Sequence, residues 1–128
     1  MQPVRLCLAV TFAITFGCGP AVPKDPYFKG QPVSHWLEAL RNPDPKARQM
    51  AADVLGNVGP SDPLVVPALI EAIKDKNAKV RDAAVLSLSR IGPDAAEAGP
   101  ALRALLNDPD PLVRSHVQLA VERVRPKS

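Results

Sequence analysis

VPALIEAIKDKNAKVRDAAVLSLSRIGP, residues 66–93, is the stretch that decides the fold. Its first part begins near Pro67, a residue favoured in the first turn of a helix, and lines one helical face with Leu69, Ile70 and Ile73. Its second part has the same periodicity, with spacings of four, four and three residues, at Val80, Ala84, Leu88 and Ile91. Gly92-Pro93 should end this second helix, because a terminating glycine is followed by a residue that cannot continue a helix. The stretch therefore predicts two helices joined by the turn Asp75-Lys76-Asn77.

The pattern recurs along the chain at a constant period of 33 residues, with no insertion. Equivalent residues fall into columns: Arg48, Arg81 and Arg114; Leu55, Leu88 and Val121; Val58, Ile91 and Val124; Pro60, Pro93 and Pro126. No stretch alternates apolar and polar residues over a useful length, so strands are not expected. The sequence predicts an all-α fold, an α-α superhelix of three 33-residue helix pairs. The predicted domain covers residues 33–126, divided into 33–60, 66–93 and 99–126.

These units resemble the bacterial HEAT repeat, a short HEAT-like or armadillo-like helical hairpin. The resemblance rests on VPALIEAIKD (66–75), VRDAA (80–84), IGP (91–93) and the turns NPDPKAR (42–48) and DPDPLVR (108–114). Ankyrin repeats share the period, but their Thr-Pro-Leu-His turn has only faint echoes here, and tetratricopeptide repeats need aromatic columns that are absent. Residues 27–37, YFKGQPVSHWL, are similar to the N-terminal module of some exported bacterial HEAT proteins. The resemblance implies a solenoid that acts through protein contacts.

Composition agrees with one small domain packed by aliphatic side chains. Of the 128 residues, 46% are hydrophobic but only 4% are aromatic, and every aromatic residue precedes residue 37. The 15 prolines are spread along the chain, which favours many short elements over a disordered proline-rich segment. The net charge of +3 comes from interleaved acidic and basic residues without a basic stripe, so a nucleic-acid partner is not expected.

Residues 1–18 have the features of a secretory signal. Arg5 supplies a positive n-region, and Leu6 to Phe16 is an uncharged, mostly apolar stretch too short to cross a bilayer. The stretch ends at Thr15-Phe16-Gly17-Cys18, which resembles a bacterial lipobox in which the cysteine is lipidated. Thr15 and Phe16 depart from the usual residues of that motif. The sequence predicts an exported protein of the cell envelope, anchored to a membrane as a lipoprotein through Cys18.

Two other interpretations of the N-terminus stay open. A signal peptidase could cut beside the small residues Gly19 and Ala21, and a buried N-terminal helix is disfavoured by the proline- and glycine-rich residues 19–32, which predict an extended tether. The cysteine count favours lipidation, because Cys7 would be removed with the signal and Cys18 would be the only thiol left.

The arginine column has a structural and a functional interpretation. Arg48, Arg81 and Arg114 could form a basic ladder for an anionic partner. In HEAT-like repeats this arginine typically bridges to the acidic or amide residue at the turn of a neighbouring unit, and that column here contains Asn42, Asp75 and Asp108. Because the acidic column accompanies the basic one at a constant spacing, the structural interpretation is favoured.

No catalytic residue, metal ligand set or cofactor site is predicted. The two histidines, His35 and His116, are too few for a metal site without further ligands, and both fall in columns typical of surface positions. Neither a glycine-rich phosphate loop nor a nucleophile elbow occurs. Ser87 and Ser89 lie on a predicted helix with no plausible base nearby in sequence.

The second helices of the units are the predicted binding surface, since this family lines its concave face with them. The candidate partner-binding residues form an apolar middle with a charged rim: Met50, Asp53, Asp82, Leu86, Arg90, His116, Leu119 and Arg123. Such a strip suits a protein or peptide, although a small solenoid also tolerates some exposed aliphatic residues. Gln118 stands in a column otherwise occupied by Ala52 and Val85, as expected of a terminal cap.

The predicted function is a non-catalytic scaffold or adaptor that binds another protein or a peptide on this concave face. Two alternatives are an accessory subunit, lyase-like or chaperone-like, of an exported enzyme, and a structural envelope protein that self-associates. The identity of the partner is not predicted.

Overall fold

The computed structural model describes residues 27–128 and is predominantly helical. Six α-helices follow one another in this part of the chain: α1 Val33–Ala39, α2 Pro45–Val58, α3 Val65–Ala72, α4 Ala78–Ile91, α5 Gly99–Ala104 and α6 Pro111–Arg123. Short 3-10 turns occupy Gly59–Ser61, Gly92–Ala98 and Leu105–Asn107. The helices confirm the prediction of an all-α fold. Within residues 27–128, no helix has the length and apolar character needed to cross a membrane.

The long helices α2, α4 and α6 begin at equivalent places because each follows a side chain that caps its first turn. The capping carboxylate or amide oxygens of Asp44, Asn77 and Asp110 accept hydrogen bonds from backbone N–H groups two residues further on. Gly59 and Gly92 end α2 and α4 with φ values of 67° and 74°, which glycine adopts without steric cost. The first residues of α2, α4 and α6 are therefore 33 residues apart, as the sequence period indicates.

The core lies between the layer of long helices and the layer of shorter ones. Helix α4 packs between α2 and α6, and α1, α3 and α5 cover one side of this layer. The largest fully buried side chains are aliphatic and come from both layers: Leu55, Leu69, Ile73, Leu88 and Leu102. Burial of such side chains contributes about 1.5–3 kcal/mol each, so stacking of the helices is the main source of stability.

A two-stranded ribbon precedes the first helix. Strands β1 (Tyr27–Phe28) and β2 (Gln31–Pro32) pair antiparallel, and Lys29 and Gly30 form the turn with positive φ. The ribbon is fixed to α1 by Trp36, whose Nε1 donates a hydrogen bond of 3.1 Å to the carbonyl oxygen of Phe28. The sequence predicted a tether here and no strands, because two-residue strands are too short to show an alternating pattern.

The predicted signal peptide, Cys18 and the tether up to residue 26 lie outside the described residues.

Candidate functional site

A cleft runs across α2, α4 and α6, and most of its lining residues lie in the first halves of these helices. Its volume is about 920 Å³, and Lys29 of the ribbon turn also lines it. Three large apolar side chains, one from each long helix, face it: Met50, Leu86 and Leu112. Met50 is 57% exposed and Leu112 is 55% exposed, whereas Leu86 is half-buried. Since large apolar side chains gain from being covered, this surface is suited to a partner that buries them.

Charged side chains of both signs surround these apolar residues. The basic ones are Lys29, Lys46 and Lys79, and the acidic ones are Asp53, Asp82 and Asp110. Lys46 and Lys79 occupy equivalent places in the first turns of α2 and α4. A polar rim of mixed charge around an apolar centre is the arrangement of a non-obligate protein interface.

The structure brings together half of the residues predicted to bind a partner. Met50, Asp53, Asp82 and Leu86 line the cleft, and the others do not: Arg90, His116, Leu119 and Arg123. Leu119 and Arg123 are exposed further along α6, beyond the cleft. The cleft lies towards the beginnings of the helices, and the first-turn residues Lys46, Lys79 and Leu112 line it.

The first-turn residues Lys46, Lys79 and Leu112 also line the cleft and were not predicted. Their shared column is a signal that could have found them, since an apolar residue in the third unit replaces a lysine. Of these residues, Leu112 is the strongest indication of a binding surface, because its large apolar side chain is exposed in the first turn of α6.

One wall of the cleft is held by a contact between α4 and α6. Nδ1 of His116 lies 2.6 Å from Oδ1 of Asp82, and both side chains are partly buried. Because an ionised carboxylate can only accept, Nδ1 carries the proton in this hydrogen bond. His116 was predicted to lie on the binding surface; it contacts a lining residue instead of lining the cleft itself. The other histidine, His35, is exposed and meets Trp36 edge to face.

Arg90 holds the edge of the cleft between α2 and α4. Its Nη2 donates to Oδ1 of Asp53 at 2.9 Å, to the carbonyl oxygen of Asp53 at 3.0 Å and to Oγ of Ser87 at 3.0 Å. The fully buried Ser87 hydroxyl donates in turn to the carbonyl oxygen of Ala52 at 2.7 Å. Ser87 therefore joins two helices through its hydroxyl proton, a packing role that satisfies its polar atoms.

Two bidentate ion pairs connect successive turns of the stack. Nε of Arg48 donates to Oδ2 of Asp75 at 2.8 Å, and its Nη2 donates to Oδ1 at 3.2 Å. Arg81 holds Asp108 in the same way, at 2.9 and 3.0 Å. In both arginines the remaining Nη1 donates to two backbone carbonyl oxygens of its own inter-helix turn. Each arginine thus links its own turn to the next one and uses four of its five N–H groups in doing so, so the two-donor edge formed by Nε and Nη2 is already occupied.

These contacts change the acidity of the two aspartates. Burial by itself would raise the pKa of Asp75, but the hydrogen bonds from Arg48 and from the N–H of Asn77 outweigh burial and lower it below 3.8. The pKa of Asp108 is lowered in the same manner, against burial, by Arg81 and the N–H of Asp110. Both carboxylates therefore stay ionised in the folded protein well into the acidic range.

Among residues 27–128, no group of three or more histidine, cysteine, aspartate or glutamate side chains is placed to hold a metal ion.

Comparison with known proteins identifies a family. The family model described as HEAT repeats matches residues 33–122 of the 128. No match was found among curated proteins.

Proposed function

Because this chain belongs to the HEAT-repeat family, whose members commonly mediate protein–protein interaction, we propose that it is a non-catalytic scaffold or adaptor. In this proposal the helices form three 33-residue units. The cleft across α2, α4 and α6 binds a protein or an extended peptide. The cleft is a better choice than the remaining surface because it combines concavity, uncovered apolar side chains and a rim of both charges.

The observation that carries the proposal is the exposure of Met50 and Leu112 within the cleft. Both side chains project from helices whose other faces are buried, so neither is needed to hold the stack together. Covering the exposed parts of such side chains contributes at about 25 cal/mol per Å² of apolar surface. A partner that buries both would therefore gain affinity from residues that contribute little to folding.

The proposal includes export and a lipid anchor. Arg5, the apolar stretch from Leu6 to Phe16 and the Gly17-Cys18 pair support a lipoprotein signal. Acyl chains on Cys18 would hold the domain at a membrane, since each buried methylene contributes about 0.8 kcal/mol. Cys18→Ser should move the protein from the membrane fraction to the soluble fraction of native cells. Retention at the membrane would reject the anchor and leave the scaffold proposal intact.

Capture of cross-linked partners from native cells tests the scaffold proposal. The chain carries a C-terminal tag, and a partner recovered with the wild type should be lost from the M50E/L112E variant. Leu64→Glu is the matched control, because Leu64 is 61% exposed and lies outside the cleft. Far-UV circular dichroism should show the same helix content for all three proteins.

Two results would contradict the cleft as the binding site. One is the same partner recovered at the same yield with M50E/L112E as with the wild type. The other is loss of the partner in the Leu64→Glu control, which would place the contact on α3. A further variant, Leu119→Glu, tests whether the binding surface extends along α6 as the sequence pattern predicted; a reduced yield would extend the surface to the 45% exposed Leu119.

A further inference from the structure

Arg114 repeats the geometry of the two paired arginines on its backbone side. Its Nη1 donates to the carbonyl oxygens of Asp108 at 2.6 Å and Pro109 at 3.1 Å. Arg81 makes the equivalent bonds at 2.8 and 3.1 Å. The guanidinium plane of Arg114 is therefore held in place by its own turn, as in the two paired arginines.

The other edge of the Arg114 guanidinium makes no hydrogen bond to residues 27–128. In Arg48 and Arg81, Nε and Nη2 form a fork that holds both oxygens of one aspartate. Among residues 27–128, no acceptor lies within hydrogen-bond distance of Nε or Nη2 of Arg114. A held guanidinium with a free two-donor edge is a preorganised receptor for a carboxylate.

We propose that this edge of Arg114 binds an aspartate carboxylate from another protein, whose helical hairpin stacks on α6 as α6 stacks on α4. The two internal pairs define the ligand. Oδ1 of Asp75 and Oδ1 of Asp108 each accept a backbone N–H from two residues further on, at 2.9 Å. The matching ligand is thus an aspartate in the turn between two helices, oriented by its own backbone.

The surface around Arg114 continues the interface that joins the helices. Ala52 of α2 and Val85 of α4 are fully buried by the neighbouring helix, whereas the equivalent Gln118 of α6 is exposed. The next column behaves alike, with Leu55 and Leu88 fully buried and Val121 partly exposed. We call the surface formed by Arg114, Gln118 and Val121 the α6 face. It occupies the columns that form the inter-helix interface in α2 and α4 but is more polar, which suits a partner that dissociates.

A second copy of this chain lacks the required ligand at the corresponding place. Asn42 occupies the column of Asp75 and Asp108, in the turn between α1 and α2. Its Oδ1 accepts the N–H of Asp44 at 2.9 Å, so the turn has the same local hydrogen bond. The amide carries no charge and places an N–H₂ group where the second carboxylate oxygen would lie. Charge complementarity with Arg114 therefore points to another protein as the occupant.

Asn42 also supplies the test, because one substitution converts that turn into the proposed ligand. The probe is the full chain carrying N42D and R114Q, which presents the carboxylate but has no fork of its own. The matched control probe carries R114Q alone. Each is titrated into ¹⁵N-labelled wild-type chain, and the Nε–H signals of its arginines are followed by NMR. The signals of Arg48 and Arg81 are internal references, because their forks are already occupied.

We expect the N42D/R114Q probe to shift the Arg114 signal saturably and to bind about tenfold more tightly than the R114Q control. The Arg48 and Arg81 signals should not move. Equal shifts from both probes, or no shift from either, would overturn the proposal. Self-association of the wild-type chain through the α6 face would identify a second copy as the occupant and also overturn it. The M50E/L112E variant should bind the N42D/R114Q probe with the same affinity as the wild-type chain, which separates the α6 face from the cleft.

Discussion

Replacing Gly56 with alanine tests whether α2 and α4 are locked at the close approach that the structure shows. A Cβ atom at Gly56 would lie 2.5 Å from Cβ of Ser87 and 2.7 Å from Nη2 of Arg90. Cβ atoms in proteins essentially never come within 3.0 Å of a heavy atom outside their own residue and its chain neighbours. The Arg90 side chain can move aside, but Cβ of Ser87 is attached directly to the backbone of α4. The two helices therefore have to separate to accommodate one methyl group.

The size of the effect follows from three contributions. Alanine favours a helix over glycine by about 1 kcal/mol, which is a gain. Overpacking against a fixed neighbour costs about 1–3 kcal/mol. Separating the helices also stretches the 2.7 Å hydrogen bond from Ser87 to the carbonyl oxygen of Ala52, and leaving such a buried group unpaired costs about 1–3 kcal/mol. The costs exceed the gain, so Gly56→Ala should lower the free energy of unfolding by about 2 kcal/mol.

Urea denaturation followed by far-UV circular dichroism measures this change. Asn57→Ala is the control, because residue 57 is the next residue of the same helix and its side chain is exposed. The control should be as stable as the wild type or slightly more stable. The G56A/S87G double variant restores room between the helices, so its loss should be smaller than the sum of the two single losses. A Gly56→Ala protein at least as stable as the wild type would refute the reasoning.

The ion pairs and the ribbon lead to further predictions. Asp108→Asn should lower the free energy of unfolding by about 2–4 kcal/mol, since the N–H₂ group of the new asparagine would face a donor of Arg81. Urea denaturation measures the loss, and Asp94→Asn is the control because Asp94 is exposed. The pKa values of Asp75 and Asp108 are lower in the folded than in the unfolded state. The two carboxylates therefore stabilise the folded protein above pH 3.8, and this stabilisation is lost as the pH falls below that value. Acid titration of Asp108→Asn should therefore show a weaker loss of stability below pH 3.8 than the wild type, and equal losses would contradict this. Trp36→Phe should cost about 1 kcal/mol and speed amide exchange in the ribbon, and unchanged exchange would exclude its anchoring role.

The positions of the long helices α2, α4 and α6 were predictable from sequence because local signals determine where these helices begin and where α2 and α4 end. Asp44, Asn77 and Asp110 cap their helices with their own side chains, and Gly59 and Gly92 end theirs through a backbone conformation. Such signals act within a few residues, so they can be read without knowing how the helices stack. The repeated arginine and aspartate columns lie 27 residues apart in sequence and meet across the stack, as their constant spacing indicated.

The outline of the cleft was less predictable because it depends on how much of each helix its neighbour covers. Met50 and Ala83 occupy the same column, yet Met50 is 57% exposed and Ala83 only 9%. The difference arises because Ala83 lies on α4, which has a long helix on either side. Met50 lies on α2, which has a long helix on one side only among residues 27–128. The contact between His116 and Asp82 crosses helices at adjacent columns, 34 residues apart, so the column pattern alone could not predict it.

Stability and binding involve different faces of the same helices. Gly56 and Ser87 lie in the second halves of α2 and α4, where the backbones come close enough to exclude any side chain at residue 56. Met50 and Leu86 lie towards the cleft, where the rim holds charges of both signs. A contact that leaves no room for a methyl group fixes the spacing of the two helices, because close-packed interiors have low compressibility. The cleft can therefore expose apolar side chains without depending on them for its shape.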